Sequence, residues 1–162
     1  MVKLLACIIR PIGFTVLLSA LLSACNWPFS EQAMLRKFLT HEQKFAEIVE
    51  AFNHDEKLFG IKPGMIYAEQ HGLSTPQAVF YRQLEILESL DISWAKRSGR
   101  GIEFFNNNSI SVAYGYYYFG SSSDRLPSLP DLNYSTVSAQ GYGTYYKHIK
   151  GQWYLYAEYI EW

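Results

Sequence analysis

The hydrophobic period of this chain changes at Ile92, from helical to alternating, and that change limits the folds open to it. Before it, Met34, Leu35, Phe38, Leu39, Phe45, Ile48, Val49 and Phe52 recur at three- and four-residue spacings. They predict a helix from Ser30, a good N-cap, to about Asn53. Thr40-His41-Glu42-Gln43 has the form of a second capping box, so a kink is open there. His54-Asp55 and Gly60 to Gly64 end the helix, and Met65 to Ala68 is a short strand or turn. Thr75-Pro76 reads as a second helix start, with Val79, Phe80, Leu84, Ile86, Leu87 and Leu90 forming its apolar face to about Ser89.

After Ile92 the period is two. Strands are predicted over 92–96, 102–106 and 110–119. In the last, Ile110, Val112, Tyr114, Tyr116 and Tyr118 share one face, and Ser111, Ala113, Gly115, Tyr117 and Phe119 the other. The small residues of the second face are expected to let a helix approach. Gly120 to Gln140 reads as a loop of about 21 residues, long for a compact domain. A hairpin, 142–149 and 152–160 around Lys150-Gly151, closes the chain. The expected fold is α+β: two N-terminal helices packed on a four- or five-stranded antiparallel sheet, with a C-terminal β-hairpin. The element order resembles cystatin-like and NTF2-like arrangements, a likeness of order that does not fix function.

The N-terminus has a separate logic. Lys3 and Arg10 supply a positive start, and Ile12 to Leu22 is apolar apart from Gly13, Thr15 and Ser19. At about 11 residues it is short for a bilayer span, which needs roughly 20. Small residues and a cysteine follow, Leu22-Ser23-Ala24-Cys25. Residues 1–25 resemble the lipobox signal peptides of bacterial lipoproteins, and nothing beyond them does. The resemblance implies cleavage before Cys25 and a diacylglyceryl group on its thiol. It divides the chain into a removed signal (1–24), a lipidated tether (25–29) and one α+β domain (30–162). It also implies a place in the bacterial cell envelope. An Asp after the cysteine tends to retain such proteins in the inner membrane, so Asn26 favours the outer membrane, facing the periplasm.

Composition then narrows the partners. Removing residues 1–24 from 162 leaves 138, enough for one domain with a core. That part carries 12 Lys and Arg against 15 Asp and Glu, a net charge of −3, so no nucleic-acid partner is expected. Cys7 goes with the signal and Cys25 takes the lipid, so no thiol remains for a metal or redox site. No stretch carries a specific catalytic or cofactor motif. No cofactor, metal or catalytic residue is expected.

Thirteen tyrosines remain to be explained. With a two-residue turn, the hairpin would place Tyr145, Lys147, Tyr154, Tyr156 and Glu158 on one exposed face. Such a stripe suits a protein interface or stacking on a sugar ring. The competing explanation is cross-strand aromatic pairing that stabilises the sheet. The 120–140 loop, with Asp124, Arg125 and Asp131, is a second candidate for partner binding, against a solvated connection. His41, His54, His71 and His148 are scattered, and His41-Glu42 lacks the second His of a zinc helix. Glu85 and Glu88 read better as a solvated helix face than as an acid–base pair, and Ser121 to Ser123 form no nucleophile elbow.

The sequence therefore points to a membrane-anchored envelope lipoprotein that binds a protein or peptidoglycan without catalysis. An immunity lipoprotein against a periplasm-delivered toxin, an envelope-assembly or peptidoglycan-binding factor, and a small periplasmic enzyme are the alternatives. Replacing the anchor residue, Cys25→Ser, is expected to release the protein from the membrane fraction or block its processing. Unchanged fractionation and gel migration would refute the lipidation expectation.

Overall fold

The computed structural model describes residues 30–68, 72–108, 111–120, 126 and 128–160. In chain order these form α1 (Glu31–His54), β1 (Leu58–Lys62), β2 (Met65–Ala68), α2 (Tyr81–Ser89), β3 (Trp94–Ser98), β4 (Gly101–Asn108), β5 (Val112–Phe119), α3 (Tyr134–Gln140), β6 (Gly143–Lys150) and β7 (Trp153–Tyr159). The class is α+β with an antiparallel sheet and a C-terminal hairpin, as expected. The sheet has seven strands, however, in the order β2-β1-β3-β4-β5-β7-β6. A β1–β2 hairpin separates α1 from α2, and a third helix lies in the expected loop.

Each difference has a local cause. In β1, Leu58 and Ile61 are fully buried, but a register shift between Leu58 and Gly60 breaks the alternation, so no period of two is visible. In α3, Val137 is the buried residue, too little for a helical pattern. Its ends do the specifying. The Asn133 side chain accepts from the Thr136 N–H at 2.9 Å, and Gly141 ends the helix at φ +83°. The second helix does not start on a Thr75 cap. A 3₁₀ turn, Gln77–Phe80, precedes α2, and no side chain caps it.

α1 is one helix with a break at His41 (φ −125°, ψ 20°), within the capping-box sequence. Both halves pack on the sheet through aromatic rings. Phe45 lies 4.7 Å from Tyr116 and 5.4 Å from Phe104 between centroids, and Phe38 lies 5.1 Å from Trp153. All are buried. Each fully buried aromatic side chain contributes about 1.5–3 kcal/mol, so this cluster dominates the docking of α1. Val112, Tyr114, Tyr116 and Tyr118 of β5 are on the face toward α1, with Trp153, Leu155 and Ala157 of β7 paired beside them.

Polar contacts fix the helix ends. Lys147 of β6 pairs with Glu31, and Lys150 reaches both Glu42 oxygens at 2.9 Å. At the other end, Arg97 of β3 donates to the carbonyls of Phe52, Asp55 and Leu58, an arginine cap on the last turn of α1. Asp55, itself buried, accepts from the Lys57 N–H at 3.0 Å and the Thr75 N–H at 2.8 Å. It ties the exit of α1 to the segment before α2.

Burial pushes the Asp55 carboxyl up, but the N–H groups of Thr75 and Lys57 and the Thr75 hydroxyl hold it below its ordinary value. A depressed folded-state pKa gives stability that is complete above the unfolded value, about 3.9, and lost as pH falls through the folded one. Asp55→Asn is expected to lower the urea midpoint at pH 7, with the gap to wild type closing below about pH 4. A constant gap down to acid pH would show that the charge of Asp55 contributes nothing.

Candidate functional site

The terminal hairpin does not have the register that the sequence suggests. Its turn is Gly151-Gln152, with Gly151 at φ +55°, and Lys150 pairs with Trp153. A bulge between His148 and Lys150 shifts the rest of β6 by one residue. Lys147 therefore faces Leu155 and Tyr145 faces Ala157, while Tyr146 faces Tyr156 and His148 faces Tyr154. A slip of one residue moves every side chain to the opposite face.

The five residues expected on one face are thus divided. Tyr145 and Lys147 lie on the α1 side, where Lys147 pairs with Glu31 and the Tyr145 hydroxyl donates to the Gly141 carbonyl at 2.9 Å. Tyr154, Tyr156 and Glu158 lie on the other side, with Thr144, Tyr146 and His148. Tyr154 and Tyr156 are not exposed, at 4% and 2%. With Tyr117 and Phe119 they make a second core cluster, against which Phe105, Leu126 and Tyr146 pack.

No helix is needed to bury these rings, because glycine makes room for them within the sheet. Gly115 faces Tyr156 across the β5–β7 pair, and a Cβ at Gly115 would come 2.5 Å from the Tyr156 ring. A Cβ at Gly101 would meet the Tyr117 ring at 2.8 Å. Gly115 of β5 thus accepts a tyrosine ring from its own sheet, rather than a helix.

Two cross-strand rows meet on this face. One runs Lys96, Glu103, Tyr117, Tyr154, His148, and the next Trp94, Phe105, Gly115, Tyr156, Tyr146. Between them opens a pocket of about 180 Å³. Glu103 lines it, accepting from the Tyr156 hydroxyl at 2.7 Å and pairing with Lys96 at 3.3 Å. Lys96 also lies 4.7 Å over the Trp94 ring. The Tyr117 hydroxyl donates to the Ser98 carbonyl at 2.8 Å, and its ring meets Tyr146 edge-on at 5.5 Å. Thr144 and Glu158 complete the rim.

The field in the pocket is negative. Burial raises the Tyr146 hydroxyl to about 12, helped by Tyr117 and the carboxylates of Glu103 and Glu158. Burial likewise raises Tyr156, with Glu103 adding to it, and Tyr117 for the same two reasons. At neutral pH these phenols are hydrogen-bond donors rather than bases.

The other sequence candidates do not converge here. His41 is at the α1 break, His54 lines a groove of about 310 Å³ between α1 and α2, and His148 is exposed beside the hairpin turn, its Nε2 3.0 Å from the Gly151 carbonyl. Glu85 and Glu88 are exposed on α2. Asp131 accepts from the Thr136 hydroxyl at 2.7 Å, at the start of α3. Among the described residues no three His, Cys, Asp or Glu side chains gather as metal ligands. Leu22, Ser23, Ala24, Cys25, His71, Ser121 to Ser123, Asp124 and Arg125 lie outside the described residues.

Lys96, Ser98, Glu103, Tyr117, Thr144 and Tyr146 are the pocket residues that sequence reasoning missed. A signal existed for two of them: Lys96 and Glu103 are charged residues inside apolar strands. No protein-family model, curated protein or solved structure matches the chain.

Because a Cβ at Gly115 would collide with the Phe104 carbonyl and meet the Tyr156 ring at 2.5 Å, Gly115→Ala is expected to cost about 1–3 kcal/mol through overpacking. Tyr156→Phe keeps the ring and removes its bond to Glu103, so it should also destabilise, but without moving the backbone of β5. Urea denaturation and amide chemical shifts of 113–117 separate the two effects. Wild-type stability in Gly115→Ala would refute the packing role.

Proposed function

We propose that this chain is a lipid-anchored bacterial envelope protein that binds a protein partner through the tyrosine-lined pocket, without chemistry of its own. The observation that supports this most is the pocket's make-up. Aromatic rings wall it, and two carboxylates, Glu103 and Glu158, outnumber its one ammonium, Lys96. The guest that fits is a basic side chain, above all a guanidinium. Its plane stacks on a phenol ring and its donors fork onto a carboxylate. The phenols support binding over proton transfer, since burial beside carboxylates holds them protonated and those of Tyr156 and Tyr117 are already committed to Glu103 and the Ser98 carbonyl.

The anchor half of the reading rests on Leu22-Ser23-Ala24-Cys25, and outer-membrane placement on Asn26. A pocket that captures a basic side chain at the periplasmic face of a membrane suits an envelope-assembly partner or an incoming toxin equally. A rim of hydroxyls and rings also suits a sugar, so peptidoglycan is the contrasting ligand.

Titration with N-acetyl-arginine amide, followed by the ring resonances of Tyr146 and Tyr156, tests the guest chemistry. Saturable shifts are expected, weakened at least about tenfold in Glu103→Gln/Glu158→Gln, which removes both charges. Shifts with N-acetylglucosamine and none with the arginine probe would overturn the reading in favour of a glycan ligand.

A further inference from the structure

A different surface carries the second inference. Three tyrosines, two exposed and one half-buried, form an aromatic strip at the α3 end of the sheet. Tyr159 meets Tyr134 edge-on with centroids 6.4 Å apart and Tyr142 at a tilt at 6.0 Å. Tyr134 and Tyr142 are 49% and 62% exposed, and Ile160 beside them 36%. The strip is built rather than accidental. Asn133 caps α3 directly before Tyr134, Gly141 turns the chain directly before Tyr142, and the Tyr145 hydroxyl holds the carbonyls of Gly141 and Tyr142 at 2.9 and 3.3 Å.

The place where the domain begins adjoins this strip. Glu31, the first residue of α1, accepts the Leu132 N–H at 2.9 Å, two residues before Tyr134. Five residues separate Cys25 from Glu31, six Cα-to-Cα steps and a reach of about 20 Å when fully extended. An acyl group on Cys25 would hold the start of α1, and Tyr134 with it, within that distance of the lipid headgroups. Tyrosine is enriched at that depth, where its ring meets apolar chains and its hydroxyl meets water. Glu31 is neutralised by Lys147, so this carboxylate is not presented bare to the membrane.

We infer that Tyr134, Tyr142 and Tyr159 are a membrane-contact strip, resting on the bilayer surface beside the lipid anchor and fixing the domain's orientation. The occupant is the lipid headgroup layer of the membrane that holds the acyl chains. The inference rests on the lipidation reading. It adds that the tethered domain lies down on one face instead of tumbling on its tether. The acidic pocket opens on a different face, that of Tyr146 and Glu158, whereas Tyr159 follows the face paired with Val112.

The test uses the full-length chain, acylated in cells and reconstituted in phosphatidylethanolamine–phosphatidylcholine vesicles. Tyr134→Cys, Tyr142→Cys and, as a comparison site in the 3₁₀ turn before α2, Val79→Cys each carry one environment-sensitive fluorophore. Val79 is 53% exposed, so all three positions tolerate a label. Lipids spin-labelled near the headgroup are expected to quench positions 134 and 142 several-fold more than position 79. Equal quenching at all three, in protein that stays on the vesicles, overturns the membrane contact and leaves the anchor standing. Protein that fails to stay on the vesicles overturns both. A further variant, Tyr134→Ser/Tyr142→Ser, should keep the urea midpoint of wild type and raise the fluorescence anisotropy decay rate of the tethered domain. An unchanged decay also refutes the inference.

Discussion

Phe38 and Phe45 decide how the rest of this sheet can be used. By packing on Tyr116, Phe104 and Trp153 they commit one face of the strands to α1. The opposite face must then bury its own aromatic side chains without a helix to cover them. It does so by laying Tyr156 over Gly115 and Tyr117 over Gly101, where a methyl group would already collide. Two tyrosine-rich faces in one sheet are thus made in two ways, by a helix on one side and by glycine gaps on the other.

The two solutions place their hydroxyls differently: under α1 the Tyr116 hydroxyl is buried and donates to the Met34 carbonyl at 3.1 Å, whereas on the open face the hydroxyls stay close to the surface. A ring lying along the sheet keeps its hydroxyl near the surface plane, so Tyr156 reaches Glu103 and Tyr117 reaches the Ser98 carbonyl. The acidic pocket is a by-product of that geometry, sited where strands β4, β5, β7 and β6 bring their aromatic rows together. Its phenols remain protonated because they are buried beside carboxylates.

Much of this architecture is legible in the sequence. The spacing of Met34 to Phe52 specifies α1, and the alternation of 110–119 specifies β5 and assigns its tyrosines to opposite faces. What stayed hidden was of two kinds. Short elements gave too few periodic residues: β1 is bent at Gly60, and α3 has one buried apolar side chain, although Asn133 and Gly141 mark its ends. The hairpin register was hidden for a different reason. The bulge falls at Ile149, a residue with no turn or bulge signature, and it reassigns Tyr145 and Lys147 to the helix side. The pocket needs Lys96, Glu103, Tyr117 and Tyr156 to meet from four strands, and pairing order is not written in any one of them.

The segment after β5 has one more effect. Ser128 forms a parallel bridge with Tyr146, the Leu129 N–H donates to the Tyr146 carbonyl at 2.7 Å, and the Ser128 hydroxyl accepts the His148 N–H at 2.9 Å. These bonds occupy outward-facing backbone groups of β6, an eight-residue strand at the border of the sheet. An unoccupied border of that length is a template on which a neighbouring molecule can add a strand, the first step toward aggregates. With the middle of its long border engaged by Ser128 and Leu129, and the other border formed by the four-residue β2, the sheet offers its own copies only short lengths of free edge.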